Sequence, residues 1–349
     1  IRRPPRSTPK PSSAASDVYK RQEPIIHSTT ETSEMSTLYP VPKEIANDAH
    51  IDAKRYQEMY AESINNPDAF WSKQANEFLS WYRSWDEISS ATFETGQVSW
   101  FRNATLNVCV NCVDRHLPER ANQIALIWEG DDPSVEKRVT FQELHDEVCQ
   151  LANALTERGV SKGDRVCIYM PMILEAAYAM LACARLGAIH SVVFGGFSPQ
   201  ALKDRILDSD CRVLITADEG MRGGRTVPLK ENAEIALERC PAVHTVLNER
   251  NTNAKNVPWR SGRDVWYHEL VPYQDRSSTP AVMRADDPLF ILYTSGSTGK
   301  PKGVQHSSGG YLLHAAMTHK YVFDYQEGET FWCTADVGWI TGHSYIVYG

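Results

Sequence analysis

Between Val139 and Thr216 the sequence alternates between helical and strand patterns, and this alternation limits the possible fold more than any other feature. Apolar residues recur at helical spacing from Leu144 to Leu155, and the pattern stops at Gly159. The next segment, Val166 to Met170, is continuously apolar, as is typical of a buried strand. The pattern therefore predicts a helix, a turn and a strand.

Two further helix–strand pairs follow. Ser198-Pro199 has the cap and first-turn residues of a helix start. The predicted elements are a helix over Leu174–Leu186 that ends at Gly187, a strand over Ala188–Phe194, a helix from Ser198 to about Asp208, a strand over Arg212–Thr216 and a later strand over Leu289–Tyr293. This βαβαβ order implies an α/β fold with layered, mostly parallel sheets and flanking helices, whose ligands bind at the carboxyl ends of strands. Residues 248–280, rich in polar residues and Pro, are expected to form an exposed excursion.

The first 44 residues are expected to be a disordered lead-in. Residues 1–22 hold six basic residues and one acidic residue, a net charge of +5. Since the net charge of the whole chain is −8, residues 23–349 carry a net charge of −13. Four prolines in the first eleven positions prevent a helix there, which argues against an amphipathic targeting peptide. We expect residues 1–22 to be non-native.

Residues 45–138 are rich in aromatic residues at helical spacing and are predicted to form a helical N-terminal extension. Four of the nine tryptophans lie between Asp48 and Phe101, and Asn66-Pro67-Asp68 marks a turn between two helices. Aromatic residues of this kind could form a binding platform, but packing against the main domain is the favoured interpretation. The main domain is expected to occupy residues 139–349 and to be incomplete at its C-terminus.

Composition excludes several classes of protein. A net charge of −8 and a sequence pI near 5.8 argue against nucleic-acid binding. The most apolar run, Ala176–Ala184, lies between Glu175 and Arg185 and is far shorter than the ~20 residues of a membrane span. Eight singly placed cysteines indicate reduced thiols and a cytoplasmic location.

Two possible metal or catalytic residues are interpreted as structural. The spacing of Cys109-x-x-Cys112 resembles half of a zinc site but has no partner pair, so no metal is predicted. His343 follows Gly342 at a predicted helix start and is expected to be a neutral, hydrogen-bonded histidine.

The strongest chemical signal follows the Leu289–Tyr293 strand. Glycines, hydroxyl side chains and lysines supply close backbone approach, hydrogen-bond donors and positive charge, which are what phosphate oxygens require. The residues are Thr294, Ser295, Gly296, Ser297, Thr298, Gly299 and Lys300, followed by Pro301-Lys302-Gly303. Ten such residues directly after a buried strand favour a phosphate-binding loop over a flexible Gly/Ser linker.

This loop differs from two common nucleotide-binding motifs. Only two residues separate Gly296 from Gly299, and Pro301 follows Lys300, which excludes the P-loop of NTPases. The GxGxxG spacing of dinucleotide-binding proteins is also absent.

The loop and several separated blocks resemble one enzyme family. Leu292 to Val304 is similar throughout to the signature of the AMP-binding, adenylate-forming superfamily. Further blocks resemble the acetyl-CoA synthetase family within it, the AMP-forming acetate:CoA ligases: Trp100-Phe101, Leu106-Asn107, Asn111 to Leu117, Phe194 to Pro199, Glu219 to Arg225 and Thr334 to Tyr345. The resemblance extends from about residue 45 to Gly349.

The resemblance implies a two-step reaction with ATP, supplied with Mg²⁺, and CoA as co-substrates. Acetate and ATP give acetyl-AMP and pyrophosphate, and CoA then displaces AMP. It implies that Thr294 to Lys300 form a mobile loop on the β- and γ-phosphates. Gly195, Gly196, Arg222 and Arg225 would contact the nucleotide end of CoA, while Trp339, Ile340 and Thr341 would line the carboxylate pocket, with Thr341 also near the CoA thiol.

Alternatives remain at several of these positions. The arginines could be ordinary surface residues, and Trp339 could be a core residue. A propionyl-CoA synthetase or a non-catalytic CoA- or ATP-binding fragment would carry the same blocks. Because the family continues well beyond the position of Gly349, we expect a missing C-terminal part and an inactive polypeptide.

Overall fold

The computed structural model describes residues 39–92, 94–294 and 301–349. The described residues fall into two units, residues 39–48 and residues 49–349. In the described part of the first unit, Lys43–Asp48 form helix α1, so helical order begins slightly before the expected end of the lead-in at residue 44. The proposed non-native residues 1–22 lie outside the described residues.

The second unit contains helices and strands in alternation. Its helices are α2 (Ala53–Asn65), α3 (Pro67–Phe78), α4 (Val108–Cys112), α5 (Leu117–Arg120), α6 (Phe141–Glu157), α7 (Leu174–Leu186), α8 (Pro199–Ser209), α9 (Leu229–Leu237), α10 (Tyr267–Leu270), α11 (Ser308–Tyr321) and α12 (Ile340–Gly342). Its strands are β1 (Glu87–Thr92), β2 (Gln97–Arg102), β3 (Thr105–Leu106), β4 (Ile124–Glu129), β5 (Glu136–Thr140), β6 (Arg165–Tyr169), β7 (Ile189–Val192), β8 (Val213–Ala217), β9 (Gly220–Arg222), β10 (Arg225–Val227), β11 (Thr245–Glu249), β12 (Asp264–Trp266), β13 (Met283–Arg284), β14 (Pro288–Thr294) and β15 (Lys302–Ser307).

The central sheet confirms the predicted α/β fold. Among the described residues its strand order is β12-β11-β8-β6-β7-β14-β15. All neighbours run parallel except β14 and β15, which are antiparallel. Since β7 and β8 lie on opposite sides of β6, the connections reverse direction at β6 and open a crevice at the carboxyl edge of the sheet.

Helices cover both faces of this sheet. One hydrophobic cluster includes buried residues of α6, α7 and α11, and the other includes residues of α8 and α9. Local signals explain the helix ends: Thr140 and Glu143 form a capping box at α6, and the Ser198 hydroxyl accepts a hydrogen bond from the Ala201 N–H at 3.3 Å. Gly187 ends α7 at a φ of 71°, which favours glycine. These predicted elements are confirmed.

The sequence predicted a helical extension over residues 45–138, but the structure shows that this region also contains strands. Strands β1 and β2 form an antiparallel hairpin, and β4 pairs with β5. The β-branched residues of β1 and β2 suit a pleated strand, which the aromatic spacing had concealed. Trp71, Trp81 and Trp100 pack against the cluster that also contains α6 and α7, so the region shares its core with residues beyond 139.

The predicted excursion over residues 248–280 is partly buried. It contains β12, which pairs with β11, and Tyr267 and Val271 are buried after it. Polar composition was misleading here because Asp264 is buried in ion pairs with Lys230 and Arg263. None of the helices in the described residues has the length and hydropathy needed to cross a membrane.

Candidate functional site at the carboxyl edge of the sheet

Several of the residues singled out in the sequence lie where parallel strands end at one edge of the sheet. Phe290 of β14 pairs with His190 of β7, so Thr294 and Phe194 each lie four residues further toward this edge. The Gly195-Gly196 turn follows Phe194, and Arg222 and Arg225 follow β8. The topology therefore places the end of β14, the glycine turn and the arginine hairpin at the same edge of the sheet.

The ring of Phe194 is the centre of this arrangement. The Arg222 guanidinium lies 4.6 Å from its centroid, and the Trp339 ring lies 6.1 Å from it. Phe197 completes the cluster, with its ring 5.4 Å from Phe194 and 6.1 Å from Trp339. Three sequence blocks that are far apart in the chain thus converge on one aromatic side chain.

The glycines beside Phe194 are required by close packing. A Cβ at Gly195 would lie 3.0 Å from the Met170 carbonyl oxygen, and one at Gly196 would lie 2.5 Å from the Phe194 ring. A Cβ at Gly338 would lie 3.1 Å from the Phe194 backbone. Side chains at these three positions would therefore collide with neighbouring parts of the chain, which explains the glycines.

The two arginines stand on the β9–β10 hairpin. Gly223 and Gly224 form its turn with φ values of 57° and 72°, a conformation that favours glycine. Arg222 and Arg225 are directly opposite each other in the antiparallel register, so both exposed side chains leave the same face. Two guanidinium groups on one face suit a phosphate or carboxylate ligand.

Asp336 holds the turn before Trp339 and is influenced by the charge of Arg222. Its carboxylate accepts a hydrogen bond from the Gly338 N–H at 2.7 Å, and its carbonyl accepts one from the Trp339 N–H at 3.0 Å. Burial raises the pKa of Asp336, while the Gly338 hydrogen bond and the charge of Arg222 oppose that shift. The carboxylate therefore lies within the electrostatic field of the arginine and fixes the turn before α12.

Trp339, Ile340 and Thr341 lie on the surface at the start of α12. The Trp339 and Ile340 side chains are 48% and 45% exposed, and Thr341 is exposed. The structure brings Trp339 to the Phe194 cluster, as described above. Trp339 is therefore not the fully buried core residue that the sequence left as an alternative.

Only the first residue of the predicted phosphate loop lies in the described part of the chain. Thr294 ends β14, is exposed and is paired in register with Lys302 of β15. Ser295, Gly296, Ser297, Thr298, Gly299 and Lys300 lie outside the described residues. The loop's two flanking strands are thus fixed at the same edge as Phe194.

Sequence reasoning did not assign a site role to Phe194, Phe197 or Asp336. Phe194 and Phe197 flank the glycine pair, and the aromatic residue at the end of the predicted strand Ala188–Phe194 was the available signal. Asp336 lies three residues before Trp339, at a spacing that carries no motif of its own. Their roles depend on contacts with distant segments, which a single sequence does not specify.

The remaining candidates from the sequence are His343, Cys109 and Cys112. The fully buried His343 contacts the Val337 carbonyl through Nδ1, and burial lowers its pKa to about 3, so it is neutral as expected. Burial raises the pKa of Cys109, and that of Cys112 to about 12. Within the described residues, no group of three His, Cys, Asp or Glu side chains could hold a metal ion.

Comparison with known proteins gives two family matches and a set of close relatives. The family model described as "AMP-binding enzyme" matches residues 113–349, and the one described as "Acetyl-coenzyme A synthetase N-terminus" matches residues 56–112. The boundary between the two matches lies earlier than the boundary at 138/139 expected from sequence.

The relatives carry one name. The chain is 64% identical over 317 residues to the acetyl-coenzyme A synthetase of Saccharophagus degradans, covering 90% of the chain and 49% of the relative. It is 59% identical over 313 residues to acetyl-coenzyme A synthetase 2 of Pseudomonas aeruginosa, covering 90% and 48%. The chain spans about half the length of the curated relatives it matches. Because the first family model covers more than half of its residues, the chain belongs to the AMP-binding enzyme family.

Proposed function

We propose that this chain forms the part of an AMP-forming acetate:CoA ligase that holds the ATP phosphates, the nucleotide end of CoA and one wall of the acyl pocket. The observation that carries the proposal is the convergence of Gly195-Gly196, Arg222 and Trp339 on Phe194 at the carboxyl edge of the sheet. The names of the relatives support the same reaction. The rest of the site is assigned to the half of those relatives that this chain does not match.

In the first step, a carboxylate oxygen of acetate attacks the α-phosphorus of ATP, and pyrophosphate leaves. Mg²⁺ enters as part of the ATP substrate. The residues Thr294, Ser295, Gly296, Ser297, Thr298, Gly299 and Lys300 supply backbone N–H groups, hydroxyls and a positive charge to the leaving phosphates. The register of β14 and β15 supports this role because it anchors both ends of the loop at the crevice.

In the second step, the thiolate of CoA attacks the carbonyl carbon of acetyl-AMP, and AMP leaves. Arg222 and Arg225 leave one face of the hairpin and are exposed, which suits the 3′-phosphate of CoA. The proposal also assigns the Gly195-Gly196 turn to the nucleotide end of CoA and the exposed Thr341 to its thiol end.

Trp339 and Ile340 form the wall that selects a short acyl group. A large indole shortens the pocket, which favours acetate over propionate. One methylene changes the free energy of binding in such pockets by about 1–3 kcal/mol, so propionate is expected to react more slowly rather than be excluded.

A fused protein tests the reaction directly. Residues 1–349 would be joined to the unmatched C-terminal part of the Saccharophagus degradans relative, and acetate-dependent ATP–pyrophosphate exchange would be measured. We expect exchange with acetate, weaker exchange with propionate and acetyl-CoA formation when CoA is added. A folded fusion that binds ATP but supports exchange with neither acid would overturn the proposal.

We place this reaction in the cytosol. The cysteines in the described residues are free, and six of the eight are buried as thiols. This pattern suits a reducing compartment. Fractionation of the source cells, followed by detection of the chain, would test the location.

A further inference from the structure

Asp218 is a buried carboxylate directly after β8, and the proposed reaction does not use it. Asp218 is only 2% exposed to solvent. Oδ1 accepts hydrogen bonds from the N–H groups of Glu219 at 2.6 Å, Asn251 at 2.9 Å and Thr252 at 3.1 Å, and Oδ2 accepts one from the Ala254 N–H at 3.1 Å. One side chain thus satisfies four backbone donors.

These bonds join the end of β8 to the turn that follows β11. Additional bonds reinforce the connection: the Asn251 Nδ2 donates to the Glu219 carbonyl at 3.0 Å, and the Thr252 hydroxyl donates to the Glu219 carboxylate at 2.7 Å. The Asp218 backbone also donates to the Glu249 carbonyl at 2.8 Å and accepts from the Lys230 N–H at 3.1 Å. The last contact reaches α9, which follows the hairpin.

The β9–β10 hairpin that carries Arg222 and Arg225 lies in the chain between Asp218 and the start of α9. It begins at Gly220, two residues after Asp218, and α9 begins two residues after its last strand residue, Val227. A Cβ at Gly220 would lie 3.1 Å from the Pro171 side chain, so the first residue of the hairpin has little freedom to move. Arg222 and Arg225 are exposed, whereas the root of their hairpin is buried.

A carboxylate suits this position for a chemical reason. Two carboxylate oxygens offer about four lone-pair sites, enough for four N–H donors, whereas an asparagine would turn its own NH₂ group toward one or more of them. Buried N–H groups left without an acceptor are strongly unfavourable. The turn at 251–254 would then move, and the hairpin root would move with it.

We propose that Asp218 is a positioning residue for CoA recognition, because it fixes the root of the hairpin and thereby sets where Arg222 and Arg225 lie relative to Phe194. The inference rests on the proposed function, in which this hairpin binds the 3′-phosphate of CoA. Asp218 does not touch the ligand. Its effect reaches CoA through the arginines.

The test compares two Asp-to-Asn variants at opposite edges of the sheet. Asp218→Asn removes the carboxylate at the carboxyl edge of β8. Asp210→Asn removes one at the other end of β8, where it pairs with Arg165 at 2.6 Å. Calorimetric titration of the 349-residue chain with CoA, 3′-dephospho-CoA and AMP gives the affinities, and circular dichroism confirms folding.

We expect Asp218→Asn to weaken CoA binding about tenfold, with little change for AMP. It should also reduce the preference for CoA over 3′-dephospho-CoA, whereas Asp210→Asn should retain that preference. An Asp218→Asn protein that is folded and keeps full discrimination for the 3′-phosphate would overturn the inference. A wild-type chain that does not bind CoA would overturn the proposed function, and this inference with it.

Two further variants separate positioning from general stability. If Asp218 acts through the two arginines, adding Asp218→Asn to a chain that carries both Arg222→Ala and Arg225→Ala should weaken CoA binding by much less than it does in the wild-type background. Fully additive losses would contradict the proposal. If Asp218→Asn does not fold, Asn251→Ala removes only the bond to Glu219 and should produce a smaller loss of 3′-phosphate discrimination, whereas unchanged discrimination would contradict the proposal.

Discussion

The guanidinium of Arg222 lies 4.6 Å from the centroid of the Phe194 ring, although 28 residues separate them in the chain. Phe194 lies two residues after the end of β7. Arg222 is the last residue of β9, which follows α8 and β8 in the chain. A cation over an aromatic face holds the arginine in a defined position before any ligand arrives. The charge is therefore preorganised at the crevice.

Replacing Arg222 by alanine should weaken CoA binding by about 10- to 100-fold, because a charge-assisted contact to phosphate is lost. Calorimetric titration of the chain with CoA measures the effect. Arg212→Ala is a matched control, since Arg212 is also exposed but precedes β8 at the opposite edge. Equal affinities for the Arg222→Ala and wild-type chains would show that the hairpin does not bind CoA.

Alanine at Gly195 should destabilise the fold by about 1–3 kcal/mol, as overpacking does in other cores. Its Cβ would lie 3.0 Å from the Met170 carbonyl oxygen, a backbone atom that cannot rotate away. Urea denaturation measures the change in the free energy of unfolding. Gly310→Ala in α11 is the control, because its nearest neighbour would be 3.9 Å away and alanine favours helix. Similar stabilities for the two variants would contradict the packing explanation.

The order of elements could be predicted from the sequence because each carried a local signal. Gly187 and Ser198 mark helix ends through their own conformational and hydrogen-bonding preferences. The mostly apolar β6 and β8 indicate a sheet covered on both faces. These features depend on neighbours within a few residues. They are therefore readable without the fold.

The parts that could not be predicted depend on distant partners. Asp264 lies in a polar segment, and one of the ion pairs that accompany its burial is with Lys230, 34 residues earlier. Phe194 becomes the centre of the candidate site because Arg222 and Trp339 pack on it from other elements. A single sequence contains the residues of such contacts but not their pairing.

Glu249 should make the stability of the chain depend on pH near neutrality. Burial raises the pKa of this carboxyl to about 7, with a further contribution from the charge of Glu175. A raised pKa means that the folded state binds the proton more tightly than the unfolded state. The stabilising effect is therefore fully present below pH ~4.5 and is lost as the pH rises through about 7.

Glu249→Gln removes this titration and should melt at a higher temperature than the wild-type chain at pH 8. The two melting temperatures should converge toward pH 5, where the wild-type carboxyl is protonated. Glu238→Gln, which changes an exposed residue just after α9, is the control for the Glu-to-Gln substitution itself. Parallel melting curves for Glu249→Gln and wild type across this range would rule out the predicted titration.

Of the substitutions considered, Lys230→Met is expected to lower the free energy of unfolding the most. Lys230 is fully buried, and its Nζ donates to the Asp264 carboxylate at 2.9 Å and to the Pro258 carbonyl at 2.8 Å, and also contacts Glu234. Lys230→Met keeps most of the side-chain volume but removes one of the two cations that pair with the buried Asp264 carboxylate, so that only Arg263 remains beside it. Removing one partner of a buried ion pair typically lowers stability by about 3–5 kcal/mol.

The matched control is Lys54→Met, which removes a lysine from the exposed pair with Glu58 at the same i,i+4 spacing as Lys230 and Glu234. The Lys54 side chain is 85% exposed, so its loss should change the free energy of unfolding by less than about 1 kcal/mol. Urea denaturation of both variants gives the comparison. Nearly all of the predicted effect of Lys230→Met comes from leaving a charge buried with fewer partners. If Lys230→Met lost no more stability than Lys54→Met, the Lys230–Asp264 ion pair would not be what holds α9 to β12.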